Sequence, residues 1–278
     1  MAAAPRKKLD LRKSLFLLPN MITLSSIFCG FDSIRISCSA HSGEGDDAFY
    51  KASLLLVYAL FFDMLDGRVA RLTKTESAFG LQIDSLADVI SFGVAPALLV
   101  YNWSLHQKGT LGLVVAFIFA AAGAVRLARF NVLSMGEHGE PTKPPKYIVG
   151  LPVPGAAGIL ISLIVANHAV AGGLAGAAYV YPMMGLTIFL AFLQVSTIRF
   201  RSFKDMKLNW RSVGLVFFAV GSSVVVSLKT SPAFVLVWLL GFYIVIGVVE
   251  TIVTFPARRR EARAIDASRE AQKSIPPT

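Results

Sequence analysis

The chain is dominated by apolar runs long enough to cross a membrane, and this feature constrains its fold more than any other. A transmembrane helix needs roughly 17 to 25 predominantly apolar residues. Runs of this kind lie at residues 20–38, 48–72, 80–103, 110–131, 148–169, 177–198, 213–229 and 233–255. With 55% hydrophobic and only 16% charged residues, the composition excludes an ordinary soluble domain. The sequence therefore predicts an all-α polytopic membrane bundle of about eight transmembrane helices.

Basic residues predict the orientation of this bundle. Of the 27 lysines and arginines, 23 fall in alternate segments that include both termini, and the other four are Arg35, Lys51, Lys108 and Lys229. Because basic residues near helix ends resist translocation, both termini are expected in the cytoplasm. Basic segments that face lipid also account for the net charge of +10, without nucleic acid as a partner.

Both ends of the chain are predicted to flank the membrane domain. Within a cytoplasmic N-terminus of residues 1–19, residues 9–18 form a short interfacial helix, and Pro19 and Asn20 start the first span. This region mimics a secretory signal peptide, but its apolar run is too long for one. Residues 256–278 are typical of a polar cytoplasmic tail.

Four aspartates interrupt the second and third apolar runs, at Asp63, Asp66, Asp84 and Asp88. One straight helix across all four would be longer than the bilayer core is thick, so the chain must turn between them. The polar residues 74–77 provide that turn. In the resulting hairpin the first and last aspartates are level, as are the middle two, and helical geometry puts each helix's pair on one face. We therefore expect one cluster of four carboxylates.

Such a cluster requires bound positive charge. A carboxylate at the bilayer centre costs roughly 2.5 to 3.5 kcal/mol, and the four also repel one another. Neighbouring runs offer too few inward-facing basic residues to neutralise four charges. Oxygen-only ligand sets suit hard divalent cations, so the interpretation is a site for two ions of magnesium or manganese, with calcium as an alternative.

Small and basic residues on the hairpin predict a phosphate-ester pocket beside the metals. Gly67 and Ala70 remove side-chain bulk on the first arm, and Gly80 leaves matching room on the second. Arg71 adds a planar, permanently charged phosphate ligand. Together these groups fit a lipid whose head is a phosphate or pyrophosphate.

The stretches "DMLDGRVAR" at 63–71 and "GLQIDSLAD" at 80–88 resemble the signature of the CDP-alcohol phosphotransferases, which fixes residue types at set spacing. Four more stretches resemble the phosphatidylserine synthase branch of that family. They are "LPNMITLSSIFCGF" at 18–31, "FGVAPALLVY" at 92–101, "RLARFNV" at 126–132 and "VGLPVPGAAG" at 149–158. The resemblance implies a six-helix family core at 20–200, followed by two extra transmembrane helices at 201–255.

The same resemblance implies roles for individual residues. Asp63, Asp66 and Asp84 would bind the metals that hold the pyrophosphate of CDP-diacylglycerol, while Asp88 would bind the second metal or act as general base. The residues implied to line the nucleotide and phosphate pocket are Gly67, Ala70, Arg71, Gly80, Asn20 and Thr23. In this branch the hydroxyl of L-serine attacks the phosphorus attached to diacylglycerol and expels CMP. A homodimer among membrane lipids, in a bacterial inner membrane, is also implied.

Two questions stay open from the sequence. Arg126 and Arg129 are the nearest unclaimed cations for the serine carboxylate, although anchoring at the membrane surface explains them equally well. The signature specifies the CDP half of the substrate, so glycerol phosphate, inositol phosphate or choline remain alternative acceptors. An ion transporter with buried carboxylates is the alternative from another class. A transporter would not need Gly67, Ala70 and Arg71, and the chain shows no duplicated half.

Overall fold

Helices make up nearly all of the described chain in the computed structural model of this protein, as the apolar runs predict. The described residues are 11–40, 45–75, 77–134, 148–169, 176–200, 221–223, 225–226, 228 and 234–246. The helices are α1 (Leu11–Ser39), α2 (Gly45–Thr73), α3 (Ala78–Asp88), α4 (Ala95–Trp103), α5 (Thr110–Ser134), α6 (Val153–Ala169), α7 (Val180–Val195) and α8 (Phe234–Ile246). The shorter elements are a π-helical segment at Val89–Val94, 3₁₀ turns at Leu105–Lys108 and Ala177–Tyr179, and the antiparallel strands β1 (Ile148–Val149) and β2 (Arg199–Phe200).

Several of these helices have the length and surface of membrane spans. The five stretches long and apolar enough to cross a bilayer are Leu17–Ser39, Asp47–Thr73, Ala78–Trp103, Thr110–Leu133 and Ala177–Val195, while α6 and α8 are shorter apolar helices. Large apolar side chains point outward, among them Phe28, Phe117 and Phe192, which are 67%, 68% and 67% exposed. Such a surface is stable in lipid and costly in water. The chain is an integral membrane protein.

Small and hydroxyl-bearing residues hold α1, α2 and the π-helical segment closely together. Ser26 and Ser33 on α1 donate to the carbonyls of Ala59 and Ala52 on α2, at 3.2 and 2.9 Å. Ser91 donates to the carbonyl of Ser26 at 3.0 Å. A Cβ on Gly30 of α1 would lie only 2.9 Å from the Cα of Ser91, so this close approach requires glycine. Packing of this kind is typical of helices in lipid, where small residues let backbones meet.

Between α3 and α4 the helical chain widens into the π-helical segment. Pro96 in the first turn of α4 has no N–H to donate and would crowd the preceding turn of a regular helix. The N–H of Ala95 donates to the carbonyl of Ile90, five residues back, which is the π-helical pattern. The predicted span at 80–103 is thus one continuous helical rod with an altered register just after Asp88.

On the other side of the bundle, α6 is enclosed and α5 packs along α7. Almost the whole length of α6 is buried, including Leu160, Ile161 and Ile164. Its start is set by the preceding chain, where Gly150 adopts φ +78° and Pro152 follows. Leu151 donates to the carbonyl of Leu193, and Gly150 donates to that of Ile198. These bonds fasten the beginning of α6 to the end of α7.

Two boundaries differ from prediction. The predicted break between an interfacial helix at residues 9–18 and the first span is wrong for the described part, because α1 runs unbroken from Leu11 through Pro19 to Ser39. Pro19 removes one intrahelical hydrogen bond without ending the helix. The span predicted from 148 begins at Val153, since residues 148–149 form β1 instead. Much of the predicted span at 213–229, the end of the last span and the tail at 256–278 lie outside the described residues.

Candidate active site

The four aspartates meet at what we call the turn end of the bundle, where residues 74–77 join α2 to α3. Asp63 and Asp66 lie on α2, and Asp84 and Asp88 on α3. One carboxylate oxygen from each of Asp63, Asp66 and Asp84 lies within 4.8 Å of the other two. The carboxyl group of Asp88 lies within electrostatic range of those of Asp63 and Asp84. The structure therefore brings all four predicted residues together.

Two residues of α1 approach this cluster. Thr23 is buried, and its hydroxyl lies 2.6 Å from a carboxylate oxygen of the equally buried Asp66. The side-chain oxygen of Asn20 lies 3.8 Å from where a Cβ on Gly80 would be, so Asn20 faces the first turn of α3. The predicted neighbourhood of Asn20, Thr23 and the hairpin is present. Thr23 orients a carboxylate, a contact that the sequence alone did not specify.

The small residues of the hairpin have identifiable neighbours. A Cβ on Gly67 would lie 3.6 Å from Nη1 of Arg71, so the guanidinium folds back over Gly67 and stands within electrostatic range of Asp66. The carbonyl of Ala70 accepts from the N–H of Thr75, which closes the end of α2. At the start of α3, the hydroxyl of Ser77 caps the N–H of Gly80 at 2.9 Å.

The cluster carries more negative charge than its protein neighbours neutralise. Among the described residues, the ion pairs are Arg35 with Asp32 and His168 with Asp47, and neither involves the cluster. Oδ1 of Asp88 is buried and has no hydrogen-bond partner in the described part of the chain. Partly buried carboxylates with incomplete counter-charge are costly, and converging oxygen ligands fit a divalent cation. The residues present therefore suit the metal that the spacing predicts.

Arg126 of α5 stands beside this charge. Its side chain is only 8% exposed, and its guanidinium lies within electrostatic range of Asp88, Arg129 and Tyr243. Its Nε has no partner among the residues that are described. Tyr243 belongs to α8, which also packs on the bundle through Leu240, whose Cδ1 is 3.1 Å from a Cβ position on Gly158. Arg126 is thus a buried cation with remaining hydrogen-bonding capacity next to the carboxylates.

Arg129, one turn later on α5, has a different environment. Its two terminal nitrogens donate to the carbonyls of Val149, Val195 and Ser196 at 3.4, 3.3 and 3.3 Å. A cation at the last carbonyls of a helix also interacts favourably with the helix dipole. Through these contacts Arg129 stabilises the junction of α5, α7 and β1.

The sequence reading missed further polar residues near the site. Asn131 of α5 donates to the hydroxyl of Ser85 on α3 at 2.9 Å and to the amide oxygen of Gln82 at 3.5 Å. Gln194 of α7 is fully buried beside Gly123. Amide side chains within apolar spans could have indicated these residues, because a polar side chain is energetically unfavourable inside a membrane. Only the tertiary structure shows which helices they join.

Comparison with known proteins finds similar sequences over most of the chain. A family model described as CDP-alcohol phosphatidyltransferase matches residues 16–193. A protein of Helicobacter pylori strain J99 named CDP-diacylglycerol–serine O-phosphatidyltransferase is 36% identical over 241 residues, covering 86% of this chain and 92% of the relative. Proteins with the same name from Methanocaldococcus jannaschii and Saccharomyces cerevisiae are 46% identical over 110 residues and 35% identical over 148 residues. These matches cover 39% and 52% of this chain, and 48% and 52% of the two relatives.

Proposed function

Because the chain belongs to the CDP-alcohol phosphatidyltransferase family, we propose that it transfers the phosphatidyl group of CDP-diacylglycerol to L-serine, forming phosphatidylserine and CMP. The observation that carries this proposal is the convergence of Asp63, Asp66, Asp84 and Asp88 at one end of the bundle. The relatives named for serine as acceptor support the choice of alcohol, and two of them match most of the chain.

The chain's own groups have definite tasks in this reaction. Asp63, Asp66 and Asp84 would hold divalent metal, for which we propose two ions of magnesium or manganese, with calcium as an alternative. When bound, such ions neutralise the pyrophosphate and the charge that develops on the departing oxygen. Thr23 keeps the Asp66 carboxylate oriented. Gly67, Ala70, Arg71, Gly80 and Asn20 line the nucleotide and phosphate pocket.

The transfer itself forms one bond and breaks another. The serine oxygen bonds to the phosphorus attached to diacylglycerol, and the bond from that phosphorus to the oxygen of CMP breaks. Asp88 accepts the proton of the serine hydroxyl as the general base, using the carboxylate oxygen that has no partner in the described protein. Holding serine against the phosphorus turns a bimolecular encounter into an oriented attack.

Arg126 is the better of the two candidate ligands for the serine carboxylate. It is buried beside Asp88 and has an unpaired nitrogen among the described residues, whereas the terminal nitrogens of Arg129 already bind three carbonyls. A guanidinium can grip a carboxylate through two parallel hydrogen bonds. Arg129 stays a weaker candidate for the same task.

We further propose that the turn end faces the cytoplasm of a bacterial inner membrane and that the protein is a homodimer. The distribution of basic residues supports this orientation. With Cys29 and Cys38 replaced by alanine, a cysteine at Ser77 should react with a membrane-impermeant label only from the cytoplasmic side. A cysteine at Gly173 should react only from the outside, and the reverse pattern would contradict the orientation.

The reaction is tested by incubating the purified protein with CDP-diacylglycerol, a divalent metal and one acceptor at a time. We expect CMP release that depends on serine and on metal. Release with glycerol phosphate, inositol phosphate or choline, but not with serine, would contradict the proposed acceptor. An absence of metal-dependent CMP release with every acceptor would contradict the enzyme and favour a transporter.

A further inference from the structure

Gln194 near the end of α7 is a buried amide without a partner. Its side chain is 0% exposed, and neither Nε2 nor Oε1 has a hydrogen-bond partner among the described residues. Leaving a buried polar group unsatisfied costs roughly 1 to 3 kcal/mol. Two such atoms on one side chain should therefore lower the stability of the folded protein substantially. A bound polar ligand would offset this cost.

The position of this amide connects it to the candidate acceptor site. Oε1 of Gln194 lies 3.1 Å from where a Cβ on Gly123 would be, so only glycine leaves the amide ordinary room there. Gly123 and Arg126 are both buried on α5, and a spacing of three residues puts them about 60° apart on one face of the helix. Gln194 therefore approaches α5 about one turn before Arg126.

Three groups with unpaired buried atoms now come from three different helices on this side of the bundle. They are Oδ1 of Asp88 on α3, Nε of Arg126 on α5 and the amide of Gln194 on α7. Trp103 and Ser104 also carry unpaired buried atoms, but they lie at the end of α4 that is away from the turn end. An anion, a cation and a neutral amide that both donates and accepts form a set complementary to a small zwitterion with a hydroxyl group.

We infer that Gln194 completes the acceptor subsite by binding the ammonium group of a zwitterionic amino alcohol through Oε1. This inference rests on the proposed function. Arg126 takes the carboxylate, assisted by Nε2 of Gln194, and Asp88 faces the hydroxyl.

Three separate contacts make the subsite chiral, which provides the test. Serine-dependent CMP release is measured for wild type and Gln194→Met with L-serine and with D-serine. We expect Gln194→Met to raise the KM for L-serine at least about tenfold, or about 1.4 kcal/mol, and to reduce the preference for L-serine over D-serine. The KM for CDP-diacylglycerol should change less than twofold. The unfolding temperature without serine should stay or rise, because two unpaired polar atoms are removed.

Thr187→Val is the matched control. Thr187 is a buried polar residue on the same helix, but its hydroxyl already donates to the carbonyl of Met183 at 2.7 Å. We expect this variant to keep both serine KM values. A Gln194→Met protein with a lowered unfolding temperature and an unchanged L-serine KM would overturn the inference and make the amide purely structural. Failure of the wild type to use serine, with activity toward another alcohol, would instead overturn the proposed function together with it.

Discussion

The aspartate cluster and the junction around Arg129 are two charged regions of one membrane bundle. They differ in whether the charged groups are hydrogen-bonded within the protein. At the junction, the guanidinium of Arg129 binds three backbone carbonyls from β1 and the end of α7. In the cluster, four carboxylates share few protein partners, chiefly the hydroxyl of Thr23. A charge whose hydrogen bonds are used within the protein holds helices together. A charge that protein cations only partly offset is available to a ligand, at a cost in stability.

Removing carboxylates from the cluster should have the largest effect on activity. Asn at position 63, 66, 84 or 88 keeps the side-chain size but removes the negative charge, so we expect transfer to fall on the order of a thousandfold or more. Without metal, the unfolding temperature should stay the same or rise, since repulsion between like charges decreases. CMP release and thermal unfolding measure the two effects. Near-normal turnover of a variant at position 63, 66 or 84 at saturating magnesium or manganese would remove that position from the metal site. Near-normal turnover of Asp88→Asn would contradict its role as general base.

Loss of the Thr23 hydroxyl should produce the next largest effect. In Thr23→Val the orienting contact to Asp66 disappears, and loss of a group that orients a metal ligand typically costs 10- to 100-fold in metal affinity or activity. The metal concentration that gives half-maximal activity should therefore rise by roughly tenfold or more. Ser25→Ala is the control, because the exposed Ser25 hydroxyl donates only to the carbonyl of Met21 on the same helix. Equal metal dependence in both variants would argue against a role for Thr23.

Arg126 and Arg129 of α5 allow a direct comparison between an arginine that binds substrate and one that stabilises the fold. Lysine keeps the charge but loses the bidentate fork, so Arg126→Lys should raise the KM for serine by roughly tenfold. Arg129→Lys should instead lower the free energy of unfolding by about 1 to 3 kcal/mol, because it loses hydrogen bonds to carbonyls. Serine kinetics and thermal unfolding of both variants separate the two roles. A larger rise in the KM for serine in Arg129→Lys than in Arg126→Lys would make Arg129 the serine ligand and Arg126 the structural residue.

Gly150 tests the junction through its effect on stability. It adopts φ +78°, and a Cβ there would lie 2.2 Å from the carbonyl oxygen of Gln194. Gly150→Ala should therefore cost about 1 to 3 kcal/mol of stability. Gly155→Ala is the control, because its Cβ would meet only side-chain atoms of Leu151 and Pro152 at 3.9 Å. Similar unfolding temperatures for the two variants would show that the junction tolerates a shift at this position.

The sequence was sufficient for much of the fold and for the centre of the site. The length of the apolar runs predicts membrane helices because lipid offers no partner to a backbone N–H or carbonyl. The hairpin of α2 and α3 follows from the polar residues 74–77 and from the spacing of the aspartates around them. Both conclusions depend on local periodicity and helix length, which can be read from neighbouring residues.

Only the tertiary structure separates Arg126 from Arg129. Their spacing of three residues predicts one helix face for both, and the contrast arises from carbonyls about 66 positions later in the chain. The unpaired amide of Gln194 and the π-helical segment after Asp88 likewise depend on how distant helices and Pro96 fit together. Periodicity assigns a side chain to a face, but it does not say which partner atoms that face meets. In this protein those partners decide whether a buried polar group holds the bundle together or remains available to a substrate.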